Sequence, residues 1–191
     1  MKSWYDLHAR SYAMRTWNLS DFPGLEADLN SFQAATLNGM PILDVGCGAG
    51  RDVEALAERG SSVIGVDLSL PLLRIARERC QNLPVELIHA SALRLPLSSG
   101  SIGGIWSSGC LLHLTLSDIP LALKEMHRVL AVGAPLGISM KSGSGSENRD
   151  GRLFTFVERE QLQELLSDLF TVERITGPVR RDWFFALGYK H

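Results

Sequence analysis

Short apolar runs alternate with amphipathic stretches along most of this sequence. From residue 41 onward, the short runs are rich in aliphatic residues and stop at glycine or polar clusters. Runs of this kind are typical of strands buried in a parallel sheet. The predicted strands are PILDV (41–45), SVIGVD (62–67), PVELIHA (84–90), SIGGIWSS (101–108) and APLGISM (134–140).

The stretches between these strands carry apolar residues at helical spacing. Residues 51–60 and 117–130 each place such residues on one face. Ser69 is a predicted helix N-cap, because Pro71 falls in the first turn that would follow it. Alternating strands and helices favour right-handed βαβ units. The pattern therefore predicts a doubly wound α/β domain, with helices on both faces of a mostly parallel sheet.

The pattern changes after residue 140. Residues 141–151 are polar and glycine-rich, which predicts a mobile loop. VEREQLQELLSDLF (157–170) has the spacing of an amphipathic helix. The apolar runs TVERIT and RDWFFALGY follow, separated only by GPVR, and this short link predicts a terminal antiparallel hairpin.

Residues 1–38 precede the first predicted strand and are rich in aromatic residues. These aromatic residues are too widely spaced for one clean helical stripe. We expect a helical segment that packs as a layer against the sheet, closes as a lid over a ligand, or does both. The predicted division is an N-terminal helical lid or cap at 1–38 and a main domain at 39–191, within a single globular unit.

Composition narrows the class of protein. The chain has 191 residues, is 45% hydrophobic and has a net charge of −2, so it lacks the cationic field of a protein that mainly binds nucleic acid. Cys47, Cys80 and Cys110 form no Cys-x-x-Cys pair, which favours a reducing compartment. No secretory signal or membrane-spanning run is evident, and the histidines lack metal-ligand spacing. We expect a cytoplasmic protein with no metal and no membrane or nucleic-acid partner; the sequence carries no signal for an oligomeric state.

A glycine-rich turn follows the first predicted strand. Gly46, Gly48 and Gly50 occupy alternate positions, which permits positive φ angles and close approach of a ligand to the main chain. The second predicted strand ends at Asp67, where a carboxylate can accept hydrogen bonds from a ribose diol. This combination predicts a nucleoside-containing ligand at the carboxyl ends of the strands.

The glycine spacing separates two kinds of nucleoside site. Dinucleotide sites usually have G-x-G-x-x-G, whereas this chain has Arg51 where the third glycine would fall. ILDVGCGAGRD resembles the first motif of class I S-adenosylmethionine-dependent methyltransferases, and VIGVDLS resembles their second. ALRLPLSSGSIGGIWSSGCLLHL and EMHRVLAVGAPLGIS resemble later segments, so the likeness covers residues 41–140. It implies a seven-stranded sheet whose last strand is antiparallel.

The resemblance also implies which residues contact S-adenosylmethionine. The methionine part would lie in the glycine turn, with Asp44 receiving the ammonium group, and Asp67 would hold the ribose. Leu68 would pack on the adenine ring, a segment after the third strand would line its edge, and residues ending the fourth strand would lie below the sulfonium. The cofactor-binding residues are thus Asp44, Gly46, Cys47, Gly48, Gly50, Asp67, Leu68, Ser91, Ala92, Leu93, Ser107 and Ser108.

The chain departs from the family pattern in three places. Ser91 stands where family members commonly have an aspartate that accepts the adenine amino hydrogen, so cofactor affinity is expected to fall modestly. Ile102-Gly103 replaces the usual Phe-Asp, and residues 131–135 replace the usual Pro-Gly-Gly turn. The last two departures affect neither the ribose contact nor the glycine turn.

His113 is the predicted general base. Methyl transfer from a sulfonium needs alignment above all, and a base helps when the acceptor loses a proton. The alternative is a histidine packed among leucines and bonded to a main-chain carbonyl. Cys110, close to His113 in sequence, is a further candidate near the methyl group. The predicted acceptor-binding residues are Tyr12, Trp17, Lys141, Arg152 and Trp183, although solvated loop charges would also explain Lys141 and Arg152.

The sequence therefore predicts an enzyme that methylates an oxygen or nitrogen atom, or less readily carbon, of a small molecule and releases S-adenosylhomocysteine. One alternative is a methyltransferase that acts on RNA or protein, for which Arg174, Arg180 and Arg181 would supply a modest basic edge. A nucleotide-dependent oxidoreductase and a cofactor-binding protein without turnover are the others.

Overall fold

A computed structural model describes residues 2–179 and 182–191, so Arg180 and Arg181 lie outside the described residues. Its helices are α1 (Lys2–Arg15), α2 (Leu25–Ala35), α3 (Arg51–Glu58), α4 (Leu70–Arg79), α5 (Ile119–Val129) and α6 (Arg159–Ser167). Its strands are β1 (Ile42–Val45), β2 (Val63–Asp67), β3 (Val85–His89), β4 (Gly104–Ser108), β5 (Pro135–Lys141), β6 (Ser146–Arg149), β7 (Arg152–Thr155), β8 (Phe170–Val179) and β9 (Trp183–Lys190). The predicted alternation of strands and helices is confirmed.

The main sheet has seven strands in the order β3-β2-β1-β4-β5-β9-β8. The pairs from β3 to β5 are parallel, whereas β9 runs antiparallel to both β5 and β8. The last strand of the chain is therefore the antiparallel one, as the family resemblance implies, and the terminal hairpin is confirmed. Strand order reverses between β1 and β4, which places the ligand crevice at the carboxyl ends of these strands.

Helices cover both faces of the sheet. Leu43 and Val45 of β1 pack in a core with residues of α5 and α6. Ile42, on the opposite face of the same strand, packs in a second core with residues of α2, α3 and α4. Alternation along the strand thus feeds two apolar layers, as expected for a doubly wound sheet.

The first 38 residues make two different contacts. In α2, Leu29 and Phe32 are fully buried in the same core as Trp106, so this helix is a layer of the fold. In α1, Ala9 and Ala13 pack on Leu72 of α4, at the ligand end of the sheet. The assignment of this segment as a lid stays a prediction, with α1 as the part that lies in the right place.

The mobile loop predicted at 141–151 is wrong. Strands β6 and β7 form an antiparallel hairpin in which Arg149 pairs with Arg152. Asp150 (φ 52°) and Gly151 (φ 77°) make the link, because an Asp-Gly pair readily adopts the left-handed conformations of a two-residue hairpin turn. Polar composition concealed this turn signal.

None of the helices in the described ranges is long and apolar enough to cross a bilayer.

Candidate active site

The turn between β1 and α3 holds its main chain in a conformation that requires glycine. Gly46, Gly48 and Gly50 have φ angles of +80°, +54° and +84°. A Cβ atom added at Gly46 would lie 2.5 Å from the Cβ and Sγ atoms of Cys110, so a side chain has no room there. The turn is fixed from below, because the Gly46 and Cys47 amides both donate to the carbonyl of Val66.

Asp67 ends β2 with both carboxylate oxygens on main-chain donors. The Gly48 amide donates to Oδ2 at 2.9 Å and the Ser69 amide donates to Oδ1 at 2.8 Å. Burial raises the pKa of Asp67, and these amides oppose that rise by stabilising the charged form. Each oxygen keeps a lone pair beyond the one in use, so the residue can still accept the two hydroxyl hydrogens of a ribose. This geometry fits the predicted cofactor.

Asp44 lies beneath the glycine turn and is almost fully buried. Burial, and then the neighbouring carboxylate of Asp52, raise its pKa well above the usual value. Asp52 is itself held by Arg51, at 2.7 and 2.9 Å, and by the indole N–H of Trp106 at 3.0 Å. A cation arriving near Asp44 would favour its ionised form, which suits the predicted ammonium contact; that contact stays a prediction.

A cavity opens above this turn, between α1 and the carboxyl ends of the strands. Predicted site residues that line it are Tyr12, Gly46, Gly48, Asp67, Leu68, Ser91, Ala92, Ser108 and His113. The remaining lining residues are Cys110, named above as a candidate near the methyl group, and seven that the prediction does not include, namely Tyr5, Val66, Ser69, Leu72, Ala90, Gly109 and Leu114. The structure therefore brings the glycine turn, the acid of β2 and the histidine after β4 to one cavity.

Several predicted cofactor contacts lie outside the lining. Cys47 is buried, and its sulfur would lie 3.0 Å from a Cβ added at Gly65, so it packs in the core beneath the turn. Gly50 lies against Ala76 of α4. Ser107 is fully buried and donates to the carbonyl of Val45. These residues support the turn from behind, and Asp44 and Leu93 are also outside the lining.

The predicted acceptor residues are scattered. Trp17 stacks on the guanidinium of Arg79, with 4.2 Å between the guanidinium carbon and the ring centroid, and does not line the cavity. Trp183 reaches the cavity edge, because its ring would lie 3.2 Å from a Cβ added at Gly109. The Lys141 ammonium lies 5.8 Å from the centroid of that ring. Of the five predicted acceptor residues, Tyr12 alone lines the cavity, and Lys141, Arg152 and Trp183 lie outside the lining as Trp17 does.

The two ring nitrogens of His113 have different partners. Nδ1 lies 2.7 Å from the carbonyl oxygen of Leu153, and Nε2 lies 2.7 Å from the hydroxyl of Tyr5. A carbonyl can only accept, so Nδ1 carries the proton of the neutral ring and Nε2 presents a lone pair. The Tyr5 hydroxyl therefore donates to Nε2. Burial lowers the pKa of His113 to about 4, with the nearby charge of Arg152 adding to the shift, so the ring is neutral near pH 7.

Tyr5 is the main residue that the sequence analysis missed. It precedes Tyr12 by two helical turns, and the two rings lie 5.0 Å apart edge to face, so they share one face of α1. This pair shares a face, although the aromatic residues of 1–38 as a set form no single stripe, since Trp17 and Phe22 lie beyond the end of α1. Burial, and then the proximity of Tyr12, raise the pKa of Tyr5, so its phenol is protonated at neutral pH.

Cys110 lies in the lining between the glycine turn and His113. Burial raises the pKa of its thiol to about 12, and the carboxylates of Asp67 and Asp44 act in the same direction. The sulfur is therefore a neutral thiol that fills space against Gly46. Within residues 2–179 and 182–191, no three His, Cys, Asp or Glu side chains lie together as metal ligands.

The glycine turn, the acid of β2 and the β3-β2-β1-β4-β5-β9-β8 sheet define a Rossmann-like, S-adenosylmethionine-dependent methyltransferase of class I. Residues 42–133 match the family model described as "Methyltransferase domain". This match agrees with the motifs, so the resemblance to class I S-adenosylmethionine-dependent methyltransferases is confirmed.

Relatives of known name are similar over part of their length. Methyltransferase GfsG of Streptomyces halstedii is 34% identical over 106 residues, which cover 53% of this chain and 37% of that protein. N-demethylindolmycin N-methyltransferase of Streptomyces griseus is 31% identical over 134 residues, which cover 69% of this chain and 56% of that protein. The chain therefore spans from about a third to somewhat over half of the length of these relatives.

A solved structure shares the fold along nearly the whole chain. The Burkholderia thailandensis 1,6-didemethyltoxoflavin-N1-methyltransferase, solved with 1,6-didemethyltoxoflavin and S-adenosylhomocysteine, aligns with a TM-score of 0.80 and 21% identity. The alignment covers 99% of this chain and 86% of that one, which confirms the fold class.

Proposed function

We propose that this chain transfers a methyl group from S-adenosylmethionine to an oxygen or nitrogen atom of a small molecule. The observation that carries the proposal is the lone pair of His113 Nε2, held in the same cavity as Gly46, Gly48 and Asp67. Bound S-adenosylmethionine supplies a methyl group that its sulfonium already activates. The protein then has to bind the cofactor and the acceptor, align the acceptor atom with the methyl group, and take up the acceptor's proton.

The glycine turn and Asp67 would hold the cofactor. The absence of side chains at Gly46 and Gly48 lets a ligand reach the main chain, and Asp67 offers free lone pairs to a diol. Tyr12 lies over Gly48, where a Cβ would be 3.8 Å from its ring, so it would cover the same part of the ligand.

His113 would serve the acceptor. Because Nδ1 is fixed on Leu153, the basic atom is Nε2, and an acceptor N–H or O–H that replaces the Tyr5 hydroxyl would donate to it. The acceptor atom then forms its bond to the methyl carbon as the sulfur–methyl bond breaks, with that electron pair staying on sulfur. The acceptor proton passes to Nε2, which becomes an imidazolium.

The named relatives support a small acceptor. One is by name an N-methyltransferase of a demethylated indolmycin, and the structural neighbour holds a demethylated toxoflavin. A net charge of −2 does not favour an RNA substrate.

Two measurements test the proposal. Calorimetry should show binding of S-adenosylhomocysteine, and a small-molecule library incubated with methyl-labelled S-adenosylmethionine should yield labelled products. His113→Asn should retain the binding and lower the methylation rate by about 10²-fold or more. Tighter binding of NADH than of S-adenosylhomocysteine would favour the oxidoreductase, and retention on RNA at 150 mM salt would favour an RNA substrate.

A further inference from the structure

Arg152, the first residue of β7, is a largely buried cation with an incomplete set of partners. Its side chain is 19% exposed, and its guanidinium carbon lies 3.8 Å from the ring centroid of Trp4 and 5.2 Å from that of Phe154. The nearest carboxylate oxygen, of Asp150, is 3.7 Å away on a side chain that is 78% exposed. Nε of Arg152 is buried and has no hydrogen-bond partner among the described residues.

Arg149 shows how an ordinary arginine of this hairpin is placed. It faces Arg152 directly across the β6–β7 pair, its side chain is 55% exposed, and it forms an ion pair with Glu147. Pairs of that kind contribute little free energy and need no ligand. Both guanidinium groups lie over the Phe154 ring, that of Arg149 at 5.7 Å, but only Arg152 also stacks on Trp4 and is largely buried. Its Nε donor is left unused in that position. A buried donor without a partner is costly, which favours a ligand that supplies the missing acceptor.

Arg152 lies just outside the cavity lining, behind the end where the acceptor would bind. The ring of Trp4, on which it stacks, lies 5.1 Å from that of Tyr5, and the ring of Phe154 lies 5.0 Å from that of His113. Leu153, the residue after Arg152, provides the carbonyl that holds His113. The charge of Arg152 also lowers the pKa of both Tyr5 and His113, in keeping with this placement. The glycine turn is covered instead by Tyr12, farther along α1.

We propose that the acceptor is a small acid, whose anionic oxygens pair with Arg152 while its N–H or O–H replaces the Tyr5 hydroxyl at Nε2 of His113. This inference rests on the proposed methyltransferase function. Nε and a neighbouring guanidinium N–H form the fork that a carboxylate or phosphate accepts in a bidentate manner. The same anion would stabilise the imidazolium that forms when Nε2 takes the acceptor's proton.

The carboxylate of the cofactor itself is a second anion that could pair with Arg152. Its methionine part is expected at the glycine turn, whereas Arg152 stacks on Trp4 and Phe154, which lie behind Tyr5 and His113. The two sources make different predictions for a variant of Arg152. An acceptor anion leaves cofactor affinity unchanged, whereas a cofactor carboxylate does not.

The experiment compares acids with their neutral amides on protein saturated with S-adenosylhomocysteine. Matched pairs are 3-hydroxybenzoate with 3-hydroxybenzamide, anthranilate with anthranilamide, and glycolate with glycolamide; phenyl phosphate serves as a second anion. Calorimetry on the wild-type protein should show at least one acid binding about 10-fold or more tighter than its amide. Arg152→Gln should abolish that preference, while the matched control Arg149→Gln should retain it.

Arg152→Met provides a second uncharged variant, because its unbranched stem keeps the space between Trp4 and Phe154 filled. Equal binding of acids and amides, or no binding of any probe, would overturn the proposal, and so would an equal loss in the Arg149 control. A fall in S-adenosylhomocysteine affinity in the Arg152 variants, with the acid preference intact, would assign the arginine to the cofactor. Failure of the wild-type protein to bind S-adenosylhomocysteine would instead refute the proposed function.

Discussion

The two ends of the cavity are held by different kinds of contact. At the glycine-turn end, the main-chain amides of Gly48 and Ser69 donate to the Asp67 carboxylate. Gly48 lies in the turn after β1, and the other two residues lie at or just after the end of β2. At the His113 end, a side chain of α1 and a carbonyl of β7 meet an imidazole from the segment after β4. The glycine-turn end is sensitive to a side chain added at a glycine or to loss of the Asp67 carboxylate, whereas the His113 end depends on three separate elements. We therefore expect substitutions at the glycine turn to affect cofactor binding, and substitutions around His113 to affect the imidazole and the methylation rate.

The largest expected effect is on the fold of the glycine turn. Gly46→Ala forces a side chain into a left-handed conformation and against Cys110, so we expect a loss of roughly 2–5 kcal/mol in the free energy of unfolding. Gly39→Ala is the matched control, with φ +78° and nothing within 4 Å of its added Cβ, and should lose only about 1–2 kcal/mol. Urea unfolding measures both. Equal losses would mean that strain alone, without the close approach to Cys110, requires glycine here.

The second-largest expected effect is on cofactor affinity, in the variant Asp67→Ala. The substitution deletes the acceptor for a diol and leaves two amides without a partner, so we expect S-adenosylhomocysteine to bind roughly 100-fold more weakly. Asp67→Asn keeps the shape of the side chain and one acceptor oxygen, so its affinity for S-adenosylhomocysteine should lie between those of the wild type and Asp67→Ala. Calorimetry checks the series, and unchanged affinity in the alanine variant would show that the ribose lies elsewhere.

The His113 end should be visible in the pH dependence of stability. Because the folded pKa of His113 is about 4 and the usual value is 6.5, its contribution is fully present above about pH 6.5 and is lost as pH falls toward 4. Wild-type stability should therefore fall more steeply than that of His113→Asn in this window, by up to about 1.4 kcal/mol per pH unit for one proton. Parallel curves for the two proteins would contradict the lowered pKa.

Tyr5→Phe should change the pKa of His113 while leaving the imidazole in place. The hydroxyl donates to Nε2 and so stabilises the neutral ring, and its loss should raise the pKa of His113 by up to about one unit. Nitrogen-15 spectra of labelled histidine would report both this shift and the proton on Nδ1. An unchanged pKa would mean that the hydroxyl does not donate to Nε2.

The smallest expected effect concerns the adenine edge. Ser91 lines the cavity, and its hydroxyl accepts a hydrogen bond from the Leu93 amide at 3.2 Å. Ser91→Asp would offer a charged acceptor to the adenine amino group and should tighten S-adenosylhomocysteine binding by roughly 3–10-fold. Ser99→Asp, outside the cavity lining, is the control. Weaker binding in the Ser91 variant would contradict the predicted adenine position.

The same two ends explain which features the sequence could predict. The glycine turn, Asp67 and the Ser69 cap depend on local chemistry, and the Ser69 hydroxyl does accept from the Leu72 amide in the structure. The bond between Tyr5 and His113 joins residues 108 positions apart, which no local pattern encodes. At the β6–β7 hairpin, polar composition predicts a loop whereas Asp150-Gly151 is typical of a two-residue hairpin turn, and the turn chemistry is the correct signal. Trp17 was assigned to the acceptor by residue type alone, and it stacks on Arg79 instead.

The β6–β7 hairpin provides the Leu153 carbonyl that holds Nδ1 of His113. That hairpin also carries Arg152, so one short ribbon both orients the imidazole and presents the positive charge beside it. Lengthening or exchanging the hairpin to accommodate a different compound would therefore also move the group that orients the imidazole. Redesign of selectivity here has to keep the Leu153 carbonyl oxygen within hydrogen-bond distance of Nδ1 of His113.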